Sequence, residues 1–137
     1  MSARAPLILV VEDNPANLLL VRSVLRLAEM TVVEAVTAAA ARQLVRETMP
    51  DLVLMDVRLP DGDGLQLTRE LKASPATSSI PVLVLTAHAM KGDAEAAAAA
   101  GCDGFITKPI DTRTLAQEVR RHLALTVSTP KDVACRT

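Results

Sequence analysis

Residues 52–64 read LVLMDVRLPDGDG, an unbroken apolar run that ends in an acid and leads into a loop rich in Gly, Pro and Asp. A strand with one face in water alternates apolar and polar residues, whereas the run at 52–55 contains no polar residue. Such a run predicts a strand buried on both faces, as in a parallel sheet covered by helices. The sequence therefore predicts an α/β protein in which Asp56 follows a buried strand.

Similar apolar runs recur along the chain. They occupy residues 7–11, 82–85 and 105–106, and residues 31–36 form a fifth candidate because they begin with β-branched side chains. Stretches with helical spacing separate them, at 15–29, 38–48, 65–73, 91–100 and 112–125. Strands that alternate with helices in this way predict right-handed parallel crossovers, and hence a (βα)5 three-layer sandwich.

Composition limits the class of protein. The 137 residues suit one domain, which we expect to span 1–125 before a flexible polar tail at 126–137. A net charge of −1 does not indicate the excess of Lys and Arg that proteins use to bind nucleic acid or an anionic membrane surface. No apolar run approaches the roughly 20 residues of a membrane span, and residues 1–6 are too short for a secretion signal, so we expect a cytoplasmic protein. Cys102 and Cys135 form no metal-binding or disulfide pattern.

Polar residues follow four of the predicted strands. Glu12 and Asp13 come after the first, Asp56 after the third, Thr86 after the fourth, and Lys108 after the fifth. The carboxyl ends of parallel strands meet at one edge of a sheet, where clustered carboxylates repel one another unless a cation compensates them. Mg²⁺ prefers such oxygen ligands. We therefore expect a site for Mg²⁺, or Mn²⁺, with Asp13 and Asp56 as direct ligands and Glu12 acting through water.

Simpler interpretations exist for these residues. The acids after the first strand could cap the next helix, but Asn14, followed by Pro15, already offers that cap. The segment at 61–63 begins like a calcium loop, yet Leu65 and Gln66 stand where such a loop needs an oxygen ligand and a glycine. A metal site at the strand ends is the better prediction.

Four motifs in order resemble a known family: Val11-Glu12-Asp13-Asn14, Leu54-Met55-Asp56 before the loop at 60–64, Leu85-Thr86-Ala87, and Phe105-Ile106-Thr107-Lys108-Pro109. Together they resemble the receiver domain of bacterial response regulators, of the single-domain chemotaxis-regulator kind, over residues 7–125. The resemblance implies a flavodoxin-like sheet with strand order 2-1-3-4-5 and a cis Lys108–Pro109 peptide bond.

The resemblance also implies roles for individual residues. Asp56 matches the phosphoacceptor, assisted by Lys108 and Thr86, and the backbone N–H of Ala87 would help to bind the phosphoryl group. The metal would be held by Asp13, Asp56 and the backbone carbonyl of Arg58, with Glu12 in support.

A second set of implied roles concerns signalling. Thr86 and Phe105 match the switch pair that rearranges the face formed by the fourth helix, fifth strand and fifth helix, with a plain core position as the alternative for Phe105. Arg58 and His88 match positions that tune dephosphorylation. The implied partners are a sensor histidine kinase or histidine phosphotransfer protein and a downstream protein target, for a monomer or a phosphorylation-linked dimer. Such a module is not an enzyme acting on a separate substrate.

Two other functions remain open from the sequence. The chain could be one piece of a larger protein, such as the receiver of a hybrid kinase. It could also be an aspartyl-phosphate phosphatase, although Arg58 stands where haloacid dehalogenase-type enzymes carry their second Asp.

Overall fold

The computed structural model describes residues 5–86, 95 and 98–128, the last five of these as backbone only. Five parallel strands form one sheet: β1 (Leu7–Val11), β2 (Thr31–Ala35), β3 (Leu52–Asp56), β4 (Val82–Thr86) and β5 (Gly104–Thr107). Their spatial order is β2-β1-β3-β4-β5, which confirms the predicted order.

Helices connect the strands and cover both faces of the sheet. They are α1 (Pro15–Leu27), α2 (Ala38–Thr48), α3 (Gly64–Ala73) and a last helix (Leu115–Ser128). Of the helix predicted at 91–100, residues 95, 98 and 99 are helical, and residues 91–94, 96 and 97 lie outside the described residues.

The core consists of two apolar layers, one on each face of the sheet. Side chains alternate along a strand, so Val53 and Met55 of β3 join the layer under α2 and α3. Leu52 and Leu54 join the opposite layer, under α1 and the last helix. Both layers are built from aliphatic residues, and the three-layer sandwich is as predicted.

Strand β5 differs from the prediction that the apolar run at 105–106 forms a strand buried on both faces, and β2, for which no such burial was predicted, is also partly exposed. Phe105 of β5 is 44% exposed, and Thr31 of β2 is exposed. An edge strand has a neighbour on one side only, and β5 alternates between half-buried and exposed positions. The short apolar run at 105–106 therefore marks a strand, but not a fully buried one.

Three elements begin or end a few residues away from their predicted positions, each because of a local contact or backbone conformation. Strand β2 ends at Ala35 rather than at 36, because Thr37 turns to cap α2. Helix α1 ends at Leu27 rather than at 29, because Glu29 has a left-handed φ of 67° that a helix cannot continue. The last helix begins at Leu115 rather than at 112, after a turn in which Asp111 accepts the amide of residue 113 at 2.9 Å.

The loop after β3 contains a short hairpin that the sequence did not predict. Arg58–Leu59 pairs antiparallel with Gly62–Asp63. At its root, the Gly64 amide donates to the Val57 carbonyl at 2.7 Å. The hairpin lies between the end of β3 and the start of α3, next to Asp56.

Candidate metal centre

A cavity of about 420 Å³ opens at the carboxyl ends of β1, β3 and β4. The sheet register creates it, because Val11 pairs with Met55 and Asp56 pairs with Leu85, so the residues after neighbouring strands emerge side by side. The sequence predicted six of its lining residues: Glu12, Asp13, Asp56, Arg58, Thr86 and Lys108. It did not predict the others, which are Asn14, Asn17, Val57, Leu59, Pro60 and Leu85.

Three carboxylates converge in this cavity. Glu12, Asp13 and Asp56 each place an oxygen within 4.8 Å of the others, an arrangement that could hold a metal ion. Glu12 is 1% exposed and Asp56 is 6% exposed, whereas Asp13 lies at the surface. Two buried acids and one open acid fit a hard divalent cation that keeps some of its waters.

Lys108 supplies the positive charge that faces these acids. Its Nζ lies 3.3 Å from Asp56 Oδ1 and 3.0 Å from Glu12 Oε1. The second contact is an ion pair without hydrogen-bond geometry, and Glu12 Oε1 has no hydrogen-bond partner within the described part of the chain. A buried oxygen of this kind also fits a cation or its water at the site.

The backbone at Lys108 is bonded to the end of the neighbouring strand. The Lys108 amide donates to the Thr86 carbonyl at 2.7 Å, which joins the ends of β4 and β5. The Lys108–Pro109 peptide bond is cis, as the resemblance implied.

The charges in the cavity perturb one another. Burial raises the pKa of Glu12, and the nearby Asp56 charge adds to the effect, while Lys108 opposes it. Burial lowers the pKa of Lys108, but the contacts with Glu12 and Asp56 outweigh it, so that this pKa is raised. One lysine therefore stays charged among acids that it only partly neutralises.

Gly64 lies directly behind the site, and sequence reasoning missed its role there. A Cβ at this position would lie 1.9 Å from the Asp56 carbonyl oxygen, so only glycine allows α3 to start against the end of β3. Thr68, which is fully buried, donates its hydroxyl to the Gly64 carbonyl at 2.8 Å. The sequence signal was a glycine directly before a helix, which alone does not reveal the close approach.

The predicted switch and tuning residues are placed in part. Thr86 is buried at the end of β4, and Phe105 is half-exposed on β5. Arg58 is exposed at the cavity rim, where its amide donates to Asp56 Oδ1 at 3.3 Å. Ala87 and His88 lie outside the described residues.

Several other described residues of interest lie away from the cavity. His122 is buried and packs against Gly104. Asp61 and Asp63, the acids of the rejected calcium loop, accept amides at the starts of α2 and α3. Cys102 is half-buried, and Cys135 lies outside the described residues. No helix in the described ranges combines the length and apolar character needed to cross a bilayer.

Comparisons with known proteins agree with this geometry. A family model for the response regulator receiver domain matches residues 8–120. The chain is 43% identical over 133 residues to the sensor protein GacS of Pseudomonas syringae pv. syringae, a match that covers 95% of this chain and 15% of that protein. It is 36% identical over 116 residues to the polar-differentiation response regulator DivK of Brucella ovis, covering 85% and 94%.

A solved structure shows the same fold. The receiver domain of sensor histidine kinase PA1611 from Pseudomonas aeruginosa PAO1 superposes with a TM-score of 0.82 at 32% identity, covering 88% of this chain and 99% of that one. That domain was crystallised with a magnesium ion coordinated in its active site cleft. Fold, cavity and family match therefore agree, and the chain belongs to the response regulator receiver domains of two-component systems.

Proposed function

We propose that Asp56 accepts a phosphoryl group from the phosphohistidine of a sensor histidine kinase or a histidine phosphotransfer protein. The observation that carries the proposal is the convergence of Glu12, Asp13 and Asp56 within 4.8 Å, with Lys108 against two of them. Asp56 suits the role because it lines a cavity of about 420 Å³ that a donor can enter, while remaining only 6% exposed.

Mg²⁺ or Mn²⁺ is the cofactor in this proposal. Asp13, Asp56 and the Arg58 carbonyl would hold it, and Glu12 would act through a water. When bound, the ion neutralises charge on the phosphoryl oxygens and on the clustered acids. Support comes from the buried Glu12 Oε1, which has an ion-pair contact but no hydrogen-bond partner among the described residues, and from the related receiver domain solved with magnesium.

The chain's own residues carry the transfer. An Asp56 carboxylate oxygen forms a bond to phosphorus, and the phosphorus–nitrogen bond to the donor breaks, with its electron pair returning to the imidazole. Lys108 already contacts Asp56 and would move onto a phosphoryl oxygen of the acyl phosphate. The Thr86 hydroxyl and the Ala87 amide would bind the remaining oxygens.

Signalling would follow from this local charge change. In the proposal, Thr86 turns toward the phosphoryl group and Phe105, now 44% exposed on β5, moves inward behind it. The altered face at β5 and the last helix would then bind a downstream protein. Arg58 and His88 would set the lifetime of the acyl phosphate by controlling water access.

The test uses labelled sensor histidine kinases and histidine phosphotransfer proteins as donors. We expect Mg²⁺-dependent transfer of about one phosphoryl group per chain, lost in EDTA, with no continuing release of phosphate from a small phosphate ester. Steady ester turnover without stable labelling would instead favour the phosphatase alternative, which the family match does not favour. A receiver can be part of a larger protein, as the match within GacS shows, or nearly a whole one, as with DivK.

A further inference from the structure

The tip of the hairpin after β3 is fastened to a different helix. Asp61 Oδ1 accepts the Ala38 amide at 2.7 Å, and Asp61 Oδ2 accepts the Ala39 amide at 3.1 Å. Thr37 Oγ1 accepts the next amide, that of Ala40, at 3.1 Å. The first three amides of α2 have no partners within the helix. Two of them donate to Asp61, which is 23 residues away in sequence from Ala38, and the third donates to the helix's own capping residue, Thr37.

The hairpin is held at both its root and its tip. Its root is closed by the Gly64 amide, which donates to the Val57 carbonyl at 2.7 Å. Its tip is held by Asp61, and Gly62 lies beside α2, where a Cβ on it would be at an ordinary contact distance of 3.8 Å from the Ala38 Cβ. Between the two fixed ends lies Arg58, at the rim of the metal cavity.

A second contact joins α2 to α3, the helix that follows the hairpin. The Arg42 guanidinium on α2 forms a two-bonded pair with Glu70 on α3, at 2.7 and 3.0 Å. Helix α2, the hairpin and α3 therefore make one connected unit around Arg58. Because the hairpin strands are only two residues long, they cannot define their own position without such outside contacts.

We propose that Asp61 is a positioning residue for the metal centre: by binding the start of α2, it holds the hairpin so that the Arg58 carbonyl points into the cavity. The inference rests on the proposed function, since it assumes that this carbonyl is a metal ligand. By thermodynamic reciprocity, an ion bound at the cavity strengthens the Asp61 contacts to Ala38 and Ala39.

The test measures Mg²⁺ affinity by calorimetry in matched variants. Asp61→Ala removes both bonds to α2, and we expect about tenfold weaker Mg²⁺ binding, the lower end of what indirect supports of metal sites contribute. Thr37→Ala also removes a cap of α2 but does not touch the hairpin. Asp63→Asn removes the same charge from the same hairpin while preserving a residue able to cap α3. Both controls should bind Mg²⁺ within about twofold of the unaltered protein.

The outcomes separate the possible explanations. Unchanged affinity in Asp61→Ala, or an equal loss in either control, overturns the positioning role. No Mg²⁺ binding by the unaltered protein instead contradicts the proposed metal site itself.

A second measurement needs no variant and so decides the matter even if Asp61→Ala does not fold. Hydrogen exchange of the Ala38 and Ala39 amides should slow when Mg²⁺ is added, while the Ala40 amide, held by Thr37, should change less. An equal response of all three amides, or none, contradicts the proposal.

Discussion

Glu12 is a buried acid whose charge the fold compensates only in part. Its carboxylate is almost fully buried, lies near Asp56, and forms an ion pair with Lys108 as its one cationic contact among the described residues. Burial is the main reason that its pKa is raised. A bound cation would offset the free-energy cost of burying this charge. Proton and metal therefore compete for the same carboxylate.

Mg²⁺ affinity should therefore depend on pH through Glu12. Because its pKa is raised above the ordinary value of 4.5, Glu12 becomes protonated at a higher pH than a free glutamate as the pH falls. Mg²⁺ affinity should drop over the same pH range, since the protonated acid no longer supports the ion. Calorimetric titrations from neutral pH downward should show the loss, and Glu12→Gln should bind more weakly at neutral pH but move the pH-dependent loss to lower pH. The same pH profile in both proteins would contradict the assignment.

Gly64 gives a second prediction, based on space alone. Because the new Cβ of Gly64→Ala would meet the Asp56 carbonyl at 1.9 Å, backbone must shift, and we expect a loss of about 2 to 3 kcal/mol in unfolding free energy. Gly62→Ala is the matched control, since its Cβ would meet the Ala38 Cβ at an ordinary 3.8 Å. Urea unfolding that gives similar midpoints for the two variants would show that the close approach is not a constraint.

The starts of the helices show which capping contacts can be predicted from the sequence. Asn14 caps α1 by accepting the amides of Ala16 and Asn17, and α2 starts as predicted after Thr37. Both starts were predictable because capping residues act on amides two or three positions away. The Asp61 cap was not predictable, because it crosses 23 positions of sequence and depends on how the hairpin packs.

The end of α2 carries a local strain that a substitution should remove. Met49 caps the helix with a left-handed φ of 45°, where residues other than glycine are disfavoured. Its side chain is 48% exposed, so truncation loses little burial. We expect Met49→Gly to raise the unfolding free energy by about 1 kcal/mol in urea titrations. Met49→Ala keeps the unfavourable φ and should give no gain; an equal gain in both variants would refute the strain argument.

The arrangement of the sheet explains why the site was predictable in outline. Parallel strands send their carboxyl ends to one edge, so Glu12, Asp56 and Lys108 had to meet once the order of strands was known. What the sequence could not show was the contact geometry: the pairing of Lys108 with Glu12, and the exposure of Phe105 on an edge strand. These depend on side-chain packing between segments far apart in the chain.

Transfer of the phosphoryl group to Asp56, and to no other residue, is the central requirement of the proposed function. The intact protein is incubated with Mg²⁺ and phosphoramidate, a small phosphodonor, and its mass is measured alongside Asp56→Asn and the control Asp63→Asn. We expect one added phosphoryl group on the unaltered protein and on Asp63→Asn, and none on Asp56→Asn. An Asp56→Asn variant that gains the phosphoryl group at full yield would contradict the account.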